Sequence, residues 1–226
     1  MVTERYSHHF SHSVLRTLLS ALLLAAVVVG VLVVQPAQAQ ATDELSAKEI
    51  AGLLFMREEE KLAHDVYVTL GETWDLPIFA NIARSEQQHT DAVRTLLVRY
   101  DLDDPAAGNA VGLFVDPTLQ ALYTELVTQG GKSLADALYV GATIEDLDIV
   151  DLQSRLAACN HADIQRVYER LLQGSSNHLR AFTALFEQQS GEVYVPQVLD
   201  QESYDAIIEG NIEGNTGHGR RGRGRS

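Results

Sequence analysis

Glu86 and His89 stand three apart in the run Ser85-Glu86-Gln87-Gln88-His89. On a helix that spacing puts a carboxylate and an imidazole on one face. Flanking apolar residues at helical spacing, Ile78, Ile82, Val93, Leu96 and Leu97, turn that face inward. Glu-x-x-His facing a helical core is the pattern of di-metal carboxylate proteins. Three further stripes carry polar residues in the same way. Glu60 lies among Leu53, Met56, Ala63, Tyr67 and Leu70. Glu145 and Asp148 lie among Leu134, Leu138, Gly141 and Leu152. His178 and Ser175 lie among Ile164, Tyr168, Leu171, Phe182 and Leu185. Charged groups at core positions are costly unless paired or bound to a cation. The candidate metal ligands are therefore Glu60, Glu86, His89, Glu145, Asp148 and His178. Carboxylates with two imidazoles suit iron, manganese or zinc, with iron the expected occupant. Two irons held close together can act jointly on oxygen or peroxide.

Neighbouring residues carry competing readings. Glu58, Glu59 and Glu60 are consecutive. Glu58 reads as a solvated charge, while Glu59, with Phe55, Leu62 and Val66 at helical spacing, rivals Glu60. His64, four after Glu60, fits a ligand or an outer hydrogen-bond partner. Tyr67 and Tyr168 read as core residues able to hydrogen-bond a ligand carboxylate. Cys159 has no assigned role.

The elements that must position these residues follow from caps and breakers. Ser46-x-x-Glu49 is a capping box and opens a helix from about Ser46 to Leu70, stopped by Gly71. Pro77 suits the first turn of a second helix, reaching Tyr100. Asp101 to Ala110 reads as loop. Asp116-Pro117 begins a short helix that ends at Gly130-Gly131. Ser133-x-x-Asp136 begins a third long helix to Ala158, with Asn160 as its cap. A fourth long helix spans Asp163 to Gln189, weakened at Gly174 by about 1 kcal/mol relative to Ala. A last short helix covers Gln201 to Glu209.

Connection lengths set the topology. Short turns make each pair of long helices an antiparallel hairpin, whereas the connection between the pairs can run the length of the bundle. That is an all-α, ferritin-like four-helix bundle with one long crossover containing a short helix. Across the first turn, Glu60 falls level with Gln87, between Glu86 and His89. Across the second, Glu145 falls level with Asn177, beside His178, and Asp148 with Gly174, beside Ser175. Both hairpins bring their inward polar residues to one level.

The 226 residues suffice for one domain with a real core. Three regions are expected. Residues 1–39 read as a signal peptide: basic Arg5 and Arg16, an apolar run from Leu18 to Val34, Pro36, then Ala37-Gln38-Ala39 as a cleavage pattern. The competing reading is an uncleaved membrane anchor. Either way the remainder is exported, to a periplasmic or extracellular setting. Residues 40–210 form the helical domain. Residues 211–226 form a Gly/Arg-rich tail expected to be disordered, or to contact anionic surfaces. A net charge of −14 argues against nucleic acid as partner of the folded part. A homodimer is compatible with the sequence. One cysteine excludes an internal disulfide and a Cys-based zinc finger.

Six segments carry a family resemblance. They are Arg57 to Ala63, Leu76-Pro77-Ile78-Phe79, Ser85 to His89, Val140-Gly141-Ala142, Ile144 to Ile149 and Asn177 to Phe182. Together they resemble the ferritin-like family called domain of unknown function 2202, over about Leu45 to Ile208. The resemblance implies a ferritin-like four-helix fold and no particular activity. Against the wider rubrerythrin-like pattern, Glu60 matches the first-helix carboxylate, with Tyr67 a heptad later. Glu86 and His89 match the second helix, Glu145 the third and His178 the fourth. Ser175 departs from that pattern, which has glutamate there, and puts the second metal position in doubt unless Asp148 compensates. Oxidase, ferroxidase or peroxidase chemistry is one expectation. The alternative is a non-enzymatic metal-binding or structural protein of the cell envelope.

Overall fold

The structure, a computed structural model, describes residues 44–210. The leader over 1–39 and the tail over 211–226 lie outside the described residues. Four long helices, α1 (Ala47–Trp74), α2 (Pro77–Arg99), α4 (Leu134–Ala158) and α5 (Ala162–Ser190), are joined by the connection that holds α3 (Pro117–Gly130) and followed by α6 (Gln201–Ile208). α1 packs along α2 and α4 along α5. The hairpins then meet through α1 against α4 and α2 against α5, and α3 lies against α1 and α4. This is the all-α bundle with one long crossover that the loop lengths predict. Among the described residues no helix is long and apolar enough to cross a membrane.

The helix starts follow their caps. Ser46 Oγ accepts from Glu49 N–H at 3.2 Å and Glu49 Oε2 from Ser46 N–H at 2.9 Å, a complete capping box. Ser133 and Asp116 cap α4 and α3. Two predicted ends differ. α1 does not stop at Gly71 but runs to Trp74, with Asp75 as its left-handed cap. A side chain at residue 71 would meet Phe79 Cβ at 3.3 Å, so the glycine serves the close approach of α2 rather than a helix end. α4 is capped at Cys159, one residue before Asn160.

The core is in two parts. The larger gathers Tyr67, Phe79, Phe182 and Phe186, with Tyr67 and Phe182 centroids 5.0 Å apart. The smaller gathers Leu53, Met56, Val93, Leu97, Leu152 and Tyr168. Along each long helix the inward polar residues fall where one cluster gives way to the other. They form a polar layer sealed at both ends by apolar packing.

The crossover is tied down by the charged run on α1. Glu58 is only 3% exposed. It is not a solvated charge, because its carboxylate accepts the N–H groups of Val115 at 2.5 Å and Asp116 at 2.9 Å. Lys61 donates to Ala110 O at 2.9 Å, Asp65 accepts from Gly112 N–H at 2.9 Å, and Arg57 reaches Asp104 at 3.0 Å. None of these partners is near in sequence, so helical periodicity cannot reveal them. Glu58→Ala should leave two backbone donors without their acceptor and cost about 2 kcal/mol. Urea denaturation should register that loss.

Candidate metal centre

The polar layer is built by one or two side chains from each long helix. α1 supplies Glu60, α2 supplies Glu86 and His89, α4 supplies Glu145 and α5 supplies His178. All five are largely buried, Glu60 to 1% exposure. His89 Nδ1 lies 2.8 Å from Glu86 Oε2 and 3.3 Å from Glu60 Oε2. His178 Nδ1 lies 2.6 Å from Glu86 Oε1 and 3.5 Å from Glu145 Oε2. The two imidazoles stack with centroids 5.6 Å apart. Two three-residue groups result, Glu60–Glu86–His89 and Glu86–Glu145–His178. Within each, one donor atom per residue lies within 4.8 Å of the others. Glu86 belongs to both, one oxygen facing each histidine.

The donor atoms are close but not aligned as hydrogen bonds. His89 Nδ1, His178 Nδ1, Glu60 Oε1 and Glu86 Oε1 are all buried without a hydrogen-bond partner. Buried polar atoms left so are rare, and a bound ion is one way to satisfy them. The set contains oxygen and imidazole donors and no thiolate, since Cys159 sits with Glu49 and His161 at the end of α4. Such donors fit iron, manganese or zinc.

The protonation of the layer follows from its crowding. Burial raises Glu60, and Glu86 adds to the rise, so that despite His89 its carboxyl is pushed up to about 8. Burial and Glu86 raise Glu145 too. Burial would also raise Glu86, but His178 and His89 hold it down at about 2. Burial opposes the imidazolium form of both histidines. Glu60 and Glu86 nonetheless push His89 up to about 11, and Glu145 and Glu86 push His178 up to about 10. With no cation, the layer therefore retains protons that a bound metal must displace.

Outer contacts orient the donors. Tyr67 donates to Glu145 Oε1 at 2.5 Å, so this tyrosine both fills the core and positions a carboxylate. Ser85 Oγ lies 3.1 Å from His178 Nε2. A proton on Nε2 given to Ser85 leaves the Nδ1 lone pair facing Glu86.

Asp148 is brought to the same level but enters neither group. Its Oδ2 accepts from Ser175 Oγ at 2.5 Å, and its Oδ1 has no partner. His64 lies apart, its Nδ1 2.9 Å from Asp65. Glu59 turns away from Glu60, toward α3 and α4.

Ser85 and Gly174 carry no signal in the hydrophobic pattern, yet both shape the centre. A Cβ on Gly174 would fall 2.5 Å from His89 Cε1 and 2.6 Å from Nε2. Gly174→Ala should gain about 1 kcal/mol of helix propensity but push His89 off Glu60. If the two groups hold metal, the expected result is loss at Glu60–Glu86–His89 with retention at the other. Metal analysis should show half the wild-type content.

Uncharacterized protein MJ0754 of Methanocaldococcus jannaschii is 49% identical to the chain over 169 residues, 75% of this chain and 91% of the relative. The crystal structure of hypothetical protein MJ0754 from Methanococcus jannaschii superposes with a TM-score of 0.71 at 47% identity, covering 80% of this chain and 98% of that one. The family model described as "Uncharacterized protein domain (DUF2202)" matches residues 49–211, and the chain belongs to that family.

Proposed function

We propose that the protein is an exported, ferritin-like di-metal protein. Glu60, Glu86 and His89 would hold one ion, and Glu86, Glu145 and His178 the other, with Glu86 common to both. The observation that carries this reading is the pair of buried donor groups sharing Glu86, with donor atoms on both histidines and two glutamates left without hydrogen-bond partners. Iron is the occupant proposed first, with manganese or zinc as the other fits to the donor set. Export rests on the leader pattern over 1–39.

With iron bound, the pair of ions would supply electrons to oxygen or peroxide. The chain's own residues hold the ions, exclude water through the apolar clusters above and below, and orient the donors through Tyr67 and Ser85. Elemental analysis of the purified mature chain tests the reading, with two ions per chain expected. Folded protein that takes up no ferrous, manganous or zinc ion would overturn it.

A second reading, metal binding without redox turnover, is favoured by Ser175. Its hydroxyl donates to Asp148 Oδ2 at 2.5 Å, at the position where the rubrerythrin-like pattern has a glutamate. Mixing the ferrous form with oxygen or peroxide separates the two. A rapid change in iron absorption supports the oxidase or peroxidase reading, and none supports the binder.

A further inference from the structure

The five donors of the candidate centre are not sealed evenly. The side chains of Glu60, Glu86 and Glu145 are at most 2% exposed, whereas those of His89 and His178 keep 12% and 11%. The two histidines belong to α2 and α5. On the opposite side α3 packs against both α1 and α4, but among the described residues no helix packs across α2 and α5. The bundle therefore has one covered face and one bare seam, and both imidazoles stand at the seam.

Little bulk lies between that seam and the donors. Ser85, half-buried, sits with its Oγ 3.1 Å from His178 Nε2. Gly174, also half-buried, presents only backbone to the Cε1–Nε2 edge of His89, because a Cβ there would lie 2.5 Å from the ring. His178 Nδ1 is buried without a hydrogen-bond partner and faces Glu86 Oε1 at 2.6 Å. Opening the layer at this seam asks for rotation of an imidazole, and side-chain rotation is among the faster protein motions. Opening it from the covered face would strip the crossover from α1. Arg57, Glu58, Lys61 and Asp65 hold residues 104–116 there through charge-assisted hydrogen bonds. The two apolar clusters close the layer above and below.

We propose that divalent cations enter and leave the centre between α2 and α5, passing His89 and His178 beside Ser85 and Gly174. The inference rests on the di-metal reading and adds to it the direction of exchange. Gln88 and Asn177, next in sequence to the two histidines, are exposed and uncharged. A carboxylate placed at either position strengthens the field on an approaching cation without replacing a ligand.

The test follows the binding of cobaltous ion, in excess, to the metal-free full chain by stopped-flow absorption. Gln88→Glu with Asn177→Asp adds two negative charges at the seam with little change of shape. Thr124→Glu with Thr128→Glu adds the same charge to the exposed face of α3. The seam pair should speed uptake roughly threefold or more at low salt. That gain should fade near 1 M salt, where the screening length is about 3 Å. The α3 pair should leave the rate at the wild-type value. Gln88→Glu alone, set against Thr124→Glu alone, should show the same contrast. Equal acceleration from both faces, or from neither, overturns the route. Folded protein that binds no cobalt at equilibrium overturns the di-metal reading and the route with it, so the two failures are distinguishable.

Discussion

If the two donor groups hold metal as proposed, Glu86→Ala should empty both at once. Every other donor belongs to one group, while Glu86 belongs to two. Removing an outer hydrogen-bond partner of a metal ligand typically weakens binding about 10–100-fold. Loss of a shared direct ligand should exceed that at both positions. Glu60→Ala should instead spare the Glu145–His178 position, and Glu145→Ala the Glu60–His89 position. Metal content per folded chain therefore follows a pattern: none for Glu86→Ala and half of wild type for either of the others. Equal partial loss in all three variants would contradict a bridging role. The metal-free Glu86→Ala protein should also titrate differently. Glu86 lies within 2.8 Å of both imidazoles and helps raise both. Its removal should lower both histidine pKa values, readable from their ring-proton NMR shifts.

Metal-free and metal-loaded protein should also diverge as pH rises from about 5 to 9. In the metal-free protein, His89 at about 11 and His178 at about 10 lie above the unfolded value of 6.5. Their contribution is complete below 6.5 and is lost as pH rises through the folded values. Glu60, at about 8 against an unfolded 4.5, acts in the same direction. Between those values the folded chain keeps a proton that the unfolded chain has released, so each step upward favours unfolding. Glu145 is raised likewise. Glu86, lowered to about 2 from 4.5, behaves oppositely. Its contribution is complete above 4.5 and falls only in acid, outside this window. Metal-free stability should therefore decline across the range. Metal binding displaces these protons and strengthens as pH rises, by up to about 1.4 kcal/mol per pH unit for each proton displaced. Calorimetry with manganese and with a chelator should show a gap in Tm that widens with pH. A constant or narrowing gap would show that the buried carboxylates and imidazoles are not the groups a cation displaces.

Much of the centre was legible because helices are periodic and their turns are short. The three-residue spacing fixed Glu86 and His89 on one face. Counting residues back from each turn put Glu60 beside His89 and Glu145 beside His178, now 3.3 and 3.5 Å apart. Within a hairpin, level is set by chain geometry alone. The three consecutive glutamates show where that logic stops. Each points about 100° from the next, and periodicity alone could not rank them. Glu58 meets the returning crossover, Glu59 faces α3 and α4, and Glu60 enters the polar layer beside His89.

The sequence by itself determined the helices, the long crossover and a polar level shared by four apolar stripes, since these depend on local spacing and loop length. Only the tertiary structure decided that Glu86 faces both histidines, that Asp148 is held by Ser175 rather than joining either group, and that Gly174 makes room for His89. Those outcomes depend on the rotation of one helix against another and on side-chain direction at their contact. Residues many positions apart set both, and no single segment encodes them.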